Sequence, residues 1–181
     1  MRHLSMPAFV VSAALIASAC TPDTPETDAR STDYDWPHYA NDQGSSKYAR
    51  IDQINAKTVR DLQVAWVWES VDNAMVESNP EFTPLGFKST PIKVGNTLYI
   101  STSLGQVVAL DAATGKQNWL FDTKTWESGR PANLGFNHRG VAYWEDGAKR
   151  RILIGTNNAY LWSLDADTGL PDESFGADGR I

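Results

Sequence analysis

One cysteine in 181 residues, Cys20, excludes an internal disulfide framework and leaves no pair for thiol redox chemistry. Histidine is scarce as well. His3, His38 and His138 stand far apart, and no group of His, Cys or acids has metal-ligand spacing. There is no phosphate-cradling loop and no Gly-x-Ser-x-Gly nucleophile phrase. Basic charge is short, with 16 Lys and Arg against 22 Asp and Glu for a formal −6, which argues against a nucleic-acid binder. The apolar run Ala8 to Ala19 falls well below the roughly 20 residues that span a bilayer.

That short run, behind Arg2 and His3, reads as a secretory signal over residues 1–19. It ends in Ala17-Ser18-Ala19-Cys20, which resembles a bacterial lipoprotein signal whose Cys becomes the lipidated first residue. Ala17 departs from that pattern, where Leu is usual, so a plain signal with an incidental Cys is the other reading. Lipidation at Cys20 would place the chain on the periplasmic side. Thr21 in place of Asp after the Cys favours the outer membrane. Residues 21–33, rich in Pro, Thr and acids, form a spacer, so the expected organisation is 1–19 signal, 20–33 lipidated Cys and spacer, 34–181 folded.

What the chain does have is a phrase used twice, 54 residues apart: Leu110-Asp111-Ala112-Ala113-Thr114-Gly115 and Leu164-Asp165-Ala166-Asp167-Thr168-Gly169. Each sits between alternating apolar runs, which is the mark of a β-repeat. The Asp and Thr side chains suit backbone hydrogen bonds within a turn, and Gly suits positive φ, so these residues read as structural. Trp is abundant, with seven, and the first expectation for indoles in a β-repeat is locking one layer to the next.

Strand signals surround the repeats. Gln63–Trp68 suits a strand, after a short helical turn capped by Asn55. Thr90–Val94, Thr97–Ser101, Gln106–Leu110 and Gln117–Phe121 predict four antiparallel strands, the first pair joined at Gly95-Asn96. Gly140–Trp144, Arg151–Thr156 and Tyr160–Leu164 predict a second set. Its last strand is weakened because Glu173 takes the place of Trp119. Residues 72–87 and 122–136 read as irregular. Four short strands joined by tight turns is the plan of a propeller blade.

Asp35-Trp36-Pro37-His38-Tyr39-Ala40-Asn41-Asp42, Tyr48-Ala49, Leu62-Gln63-Val64-Ala65-Trp66, Ser89-Thr90-Pro91 and Arg139-Gly140-Val141-Ala142-Tyr143-Trp144 follow one another in a set order, closing on Phe175-Gly176-Ala177-Asp178-Gly179. In that order they resemble the quinoprotein dehydrogenases that use pyrroloquinoline quinone (PQQ), nearest the glucose-dehydrogenase-like branch. The resemblance implies an all-β fold: the first two or so four-stranded antiparallel blades of an eight-bladed β-propeller, truncated. It implies oxidation of an alcohol or aldose by PQQ with Ca²⁺, and electron delivery to a quinone or cytochrome c. The catalytic base and Ca²⁺ ligands are expected beyond Ile181, so this piece alone is expected to be inactive.

Within the resemblance, Arg139 occupies the place of an arginine beside the quinone; a solvated surface Arg is the plain reading. His138 stands where several relatives have Cys, and could stack on the cofactor, hydrogen-bond to it, or simply be a satisfied loop His. Lys88, where alcohol-oxidising members often have Glu, reads as a surface residue. A reading from another class is a non-catalytic propeller lipoprotein that acts as an outer-membrane assembly or protein-binding scaffold. A third is a propeller that kept the fold and lost the chemistry.

Overall fold

The computed structural model describes residues 34–181. The expected signal, Cys20 and spacer lie outside the described residues. Two antiparallel sheets stack face to face. The first runs β1 (Ile92–Val94), β2 (Thr97–Ser101), β3 (Gln106–Asp111) and β4 (Gln117–Asp122), in that spatial order. The second runs β5 (Ala142–Asp146), β6 (Lys149–Gly155) and β7 (Leu161–Asp165).

The central strand β3 is buried on both faces, which is why its sequence, Gln106-Val107-Val108-Ala109-Leu110, shows no polar alternation. Val107 and Ala109 join Ile92 and Tyr99 against Ile152, Ile154, Trp162 and Leu164 of the second sheet. Val108 and Leu110, with Ile100, pack against Trp66, Trp68 and Val71 on the other side.

Both repeated turns form as read. The Asp111 carboxylate accepts from the N–H groups of Ala113 and Thr114 and from the Thr114 hydroxyl, at 2.8 to 3.1 Å. Asp165 does the same with Asp167 and Thr168. Gly115 and Gly169 share φ of +71°. Each turn also receives an indole. Trp66 donates to the Ala112 carbonyl at 3.2 Å and lies over Gly115; Trp119 donates to the Ala166 carbonyl at 3.0 Å and lies over Gly169. Two equivalent Trp–turn locks therefore fasten residues 62–68 to the first sheet and the first sheet to the second.

Four expectations need correction. Gln63–Trp68 forms no strand: Gln63, Val64 and Ala65 are all exposed, only Trp66 and Trp68 are half-buried, and no strand among the described residues lies beside it. The second sheet has three strands, not four. Along β7, the place of the fourth is filled piecemeal: Leu161 exchanges two backbone bonds with Ile181, Ser163 N–H reaches the Gly179 carbonyl, and Asp172 N–H reaches Ser163. Pro171 has no N–H to donate, which breaks the ladder where the two repeats diverge. Finally, residues 72–87 are not all irregular, since Asp72–Ser78 forms a short helix, α1. Asn55 does accept from the Lys57 N–H, but the turn that follows spans only Val59–Asp61 and leaves Val59 and Leu62 exposed.

Candidate functional site

The start of β1, the end of β2, the start of β3 and the end of β4 share one edge of the first sheet, as the register pairs Ile92 with Tyr99, Ser101 with Val107 and Gln106 with Asp122 show. Three connections therefore meet at that edge: residues 69–91, the β2–β3 turn at 102–105, and residues 123–141. The two long ones interlock. Phe82 meets the rings of Trp126 and Phe136 edge-on, and Arg130 donates to the carbonyls of Glu81 and Thr83.

His138 lies in this corner, 8% exposed. Its Nε2 is buried without a hydrogen-bond partner. Desolvation holds the imidazole below its ordinary pKa, so the ring is neutral at pH 7. Gly105, at φ +85°, faces it closely. A Cβ there would overlap the Thr125 methyl and come within 3.3 Å of Thr123 Oγ1 and 3.4 Å of His138 Nε2. Only glycine fits.

Arg139 is exposed, and its side chain makes no hydrogen bond or ion pair with the described residues. Its backbone is fixed instead: the Arg139 carbonyl accepts from the Thr90 N–H at 3.0 Å. Gly140 follows at φ +141°, where a Cβ would lie 3.0 Å from the Thr90 carbonyl. The Arg-Gly pair thus runs hard against Ser89-Thr90, and Ser89 is tied to Ser101 by a 3.1 Å hydroxyl contact. Lys88 is exposed beside it.

The structure adds Asn137, whose Oδ1 is buried without a partner. An Asn in a loop carries no sequence signal of that kind. Among the described residues no three His, Cys, Asp or Glu come together, so no side chain here is assigned to Ca²⁺. Consecutive residues here thus differ in setting: the Arg139 guanidinium is exposed and has no partner among the described residues, whereas His138 Nε2 and Asn137 Oδ1 are buried with none. The exposed guanidinium suits a carboxylate-bearing ligand better than a cation.

Residues 36–181 match the sequence family described as the PQQ glucose/ethanol/alcohol dehydrogenase β-propeller domain. The chain belongs to this family. Relatives include quinoprotein glucose dehydrogenase A of Acinetobacter calcoaceticus, 30% identical over 88% of this chain and 22% of that protein. The quinoprotein glucose dehydrogenase of Escherichia coli strain K12 is 35% identical over 82% of this chain and 20% of its own length. Among solved structures, the quinohemoprotein alcohol dehydrogenase of Comamonas testosteroni superposes with a TM-score of 0.57 at 33% identity, over 75% of this chain and 18% of that one. The chain spans 22% and 20% of the length of the two glucose dehydrogenases. The two stacked antiparallel sheets are accordingly part of a β-propeller of the quinoprotein type.

Proposed function

We propose that this chain is part of a quinoprotein dehydrogenase that oxidises an alcohol or aldose sugar, and that it contributes one wall of the PQQ site. One observation carries the assignment to this corner: Arg139 follows the buried His138 directly in the chain, and its exposed guanidinium has no partner among the described residues. When bound, PQQ supplies the two-electron acceptor for oxidation at a CH–OH carbon. Arg139 holds a carboxylate or quinone oxygen through paired N–H donors. His138, the second proposed contact, is kept neutral by burial and so adds no second positive charge. Ca²⁺ belongs to the reading as the cofactor's companion ion, with ligands outside the residues assigned here, and a quinone or cytochrome c takes the electrons.

The Ala17-Ser18-Ala19-Cys20 phrase supports a lipid anchor on the periplasmic side, in the outer membrane. Labelling with a fatty-acid analogue tests this: incorporation should vanish with Cys20→Ser.

The activity is tested on the native polypeptide that carries these residues, titrated with PQQ and Ca²⁺ and assayed by dye-linked oxidation of alcohols and aldoses. Quenching of tryptophan fluorescence on PQQ addition and turnover on at least one substrate are expected. Neither quenching nor turnover would overturn the reading in favour of a cofactor-free scaffold.

A further inference from the structure

We propose that Asp72 is a positioning residue for the His138–Arg139 corner, acting through the β2–β3 turn. The inference rests on the reading of that corner as a cofactor wall. Asp72 opens α1 and is only 4% exposed. A carboxylate so deeply buried needs partners, and its long-range partners are not on its own helix. Oδ2 accepts from the Leu104 N–H at 3.0 Å, and Oδ1 faces Gln106 Nε2 at 3.4 Å. Met75, on the same side of α1, accepts from that same Gln106 amide at 3.0 Å. The helix therefore clasps the turn from 32 and 34 residues away in sequence.

The turn has no slack to absorb movement. Thr102 and Leu104 are fully buried, and the turn is closed by Thr102 N–H to Gln106 O at 2.8 Å and Gly105 N–H to Thr102 O at 3.1 Å. On its far side the Gly105 carbonyl accepts from Thr123 Oγ1 at 2.7 Å, Gly105 packs against the Thr125 methyl, and His138 Nε2 lies 3.4 Å from where a Gly105 Cβ would stand. Contacts run without a gap from Asp72 to Leu104–Gln106, to Gly105, and so to Thr123, Thr125 and His138. A shift of a few tenths of an ångström at Leu104 must be passed to the imidazole, because close-packed interiors do not yield locally. The 69–91 connection, whose residues 72–87 read as irregular from sequence, thereby braces the site.

Asp72→Asn tests the link. The new amide can still accept from Leu104, but its NH₂ would meet the NH₂ of Gln106. The double variant Asp72→Asn with Gln106→Glu restores a donor–acceptor pair. Hydrogen exchange by mass spectrometry on the native polypeptide reads both ends: backbone amides of the 102–106 peptide, and the slow exchange of the His138 ring C–H, whose pH midpoint reports the imidazole. Asp72→Asn should speed exchange at 102–106 at least tenfold and move the His138 midpoint up toward an ordinary histidine. The Asp111–Gly115 turn should be unchanged, and the double variant should restore both readouts. Faster exchange at 102–106 with an unmoved His138 would overturn the proposal and leave Asp72 as a local stabiliser. Should Asp72→Asn fail to fold, Gln106→Leu keeps the Leu104 bond and should shift His138 in the same direction; no shift there overturns the proposal equally. PQQ titration of Arg139→Ala judges the cofactor reading separately, since that substitution leaves the Asp72 contacts intact.

Discussion

The indole N–H of Trp119 donates to the Ala166 carbonyl at 3.0 Å, so a side chain of the first sheet completes a turn of the second. Gly169, three residues on, lies flat beneath the ring, and Trp66 repeats the arrangement over Ala112 and Gly115. The Ala166 carbonyl also accepts from the Tyr99 hydroxyl at 3.1 Å, so the lock has two bolts.

Gly169→Ala is therefore expected to be costly. Its Cβ would lie 2.5 Å from Trp119 Cε3, at a φ of +71° that L-residues adopt poorly. Left-handed strain plus overpacking amounts to about 2–4 kcal/mol. Trp119→Phe, which keeps an aromatic side chain but removes the donor and part of the ring system, should cost at least about 1 kcal/mol. Urea unfolding checks both, and Gly115→Ala and Trp66→Phe should give matching values if the two locks are equivalent.

Arg151 pairs with Asp172, both largely shielded at 17% and 15% side-chain exposure. Its guanidinium lies 4.9 Å from the Trp144 ring centroid and 5.9 Å from that of Phe175, and it donates to Ser174. This node ties the 170–181 segment to the second sheet. Arg151→Leu should destabilise by about 1–2 kcal/mol, since it leaves a shielded carboxylate with only its Ser174 hydrogen bonds. Adding Asp172→Asn should recover part of the loss in the same denaturation assay.

His138 sets a pH dependence. Desolvation lowers its folded pKa below the unfolded value near 6.5, so the unfolded chain binds more protons in the interval between them. Stability from the neutral ring is present above about pH 6.5 and declines as pH falls toward the folded pKa. Thermal melts from pH 7.5 to 5 should show this decline, and His138→Gln should flatten it.

Arg139→Ala should separate function from folding. With no side-chain partner to lose, stability should stay within about 0.5 kcal/mol of the parent. PQQ affinity of the native polypeptide should fall at least tenfold, or about 1.4 kcal/mol. Unaltered affinity would return Arg139 to an ordinary surface role.

Much of the fold was legible because it is written in local chemistry. Gly95-Asn96 makes its hairpin, and Asp111-x-x-Thr114-Gly115 makes its turn, from atoms within five residues of one another. The helix Asp72–Ser78 was not legible. It is only seven residues long, lacks a side-chain cap, and is held by Asp72 bonds to Leu104 and Gln106. The broken fourth strand of the second sheet was half visible, in Glu173 standing where Trp119 stands, but the bond between Ser163 and Gly179 was not.

The site divides in the same way. Residue types and order alone pointed to Arg139 and His138 through a family phrase, and turn chemistry marked both Asp-x-x-Thr-Gly units as structural. Packing settled the rest. Among the described residues it left the Arg139 guanidinium unpaired, buried His138 Nε2 and Asn137 Oδ1 without partners, and set Gly105 close to the imidazole. Turn conformation depends on neighbours in the chain, whereas desolvation and close contact depend on which distant segments share an edge of the sheet.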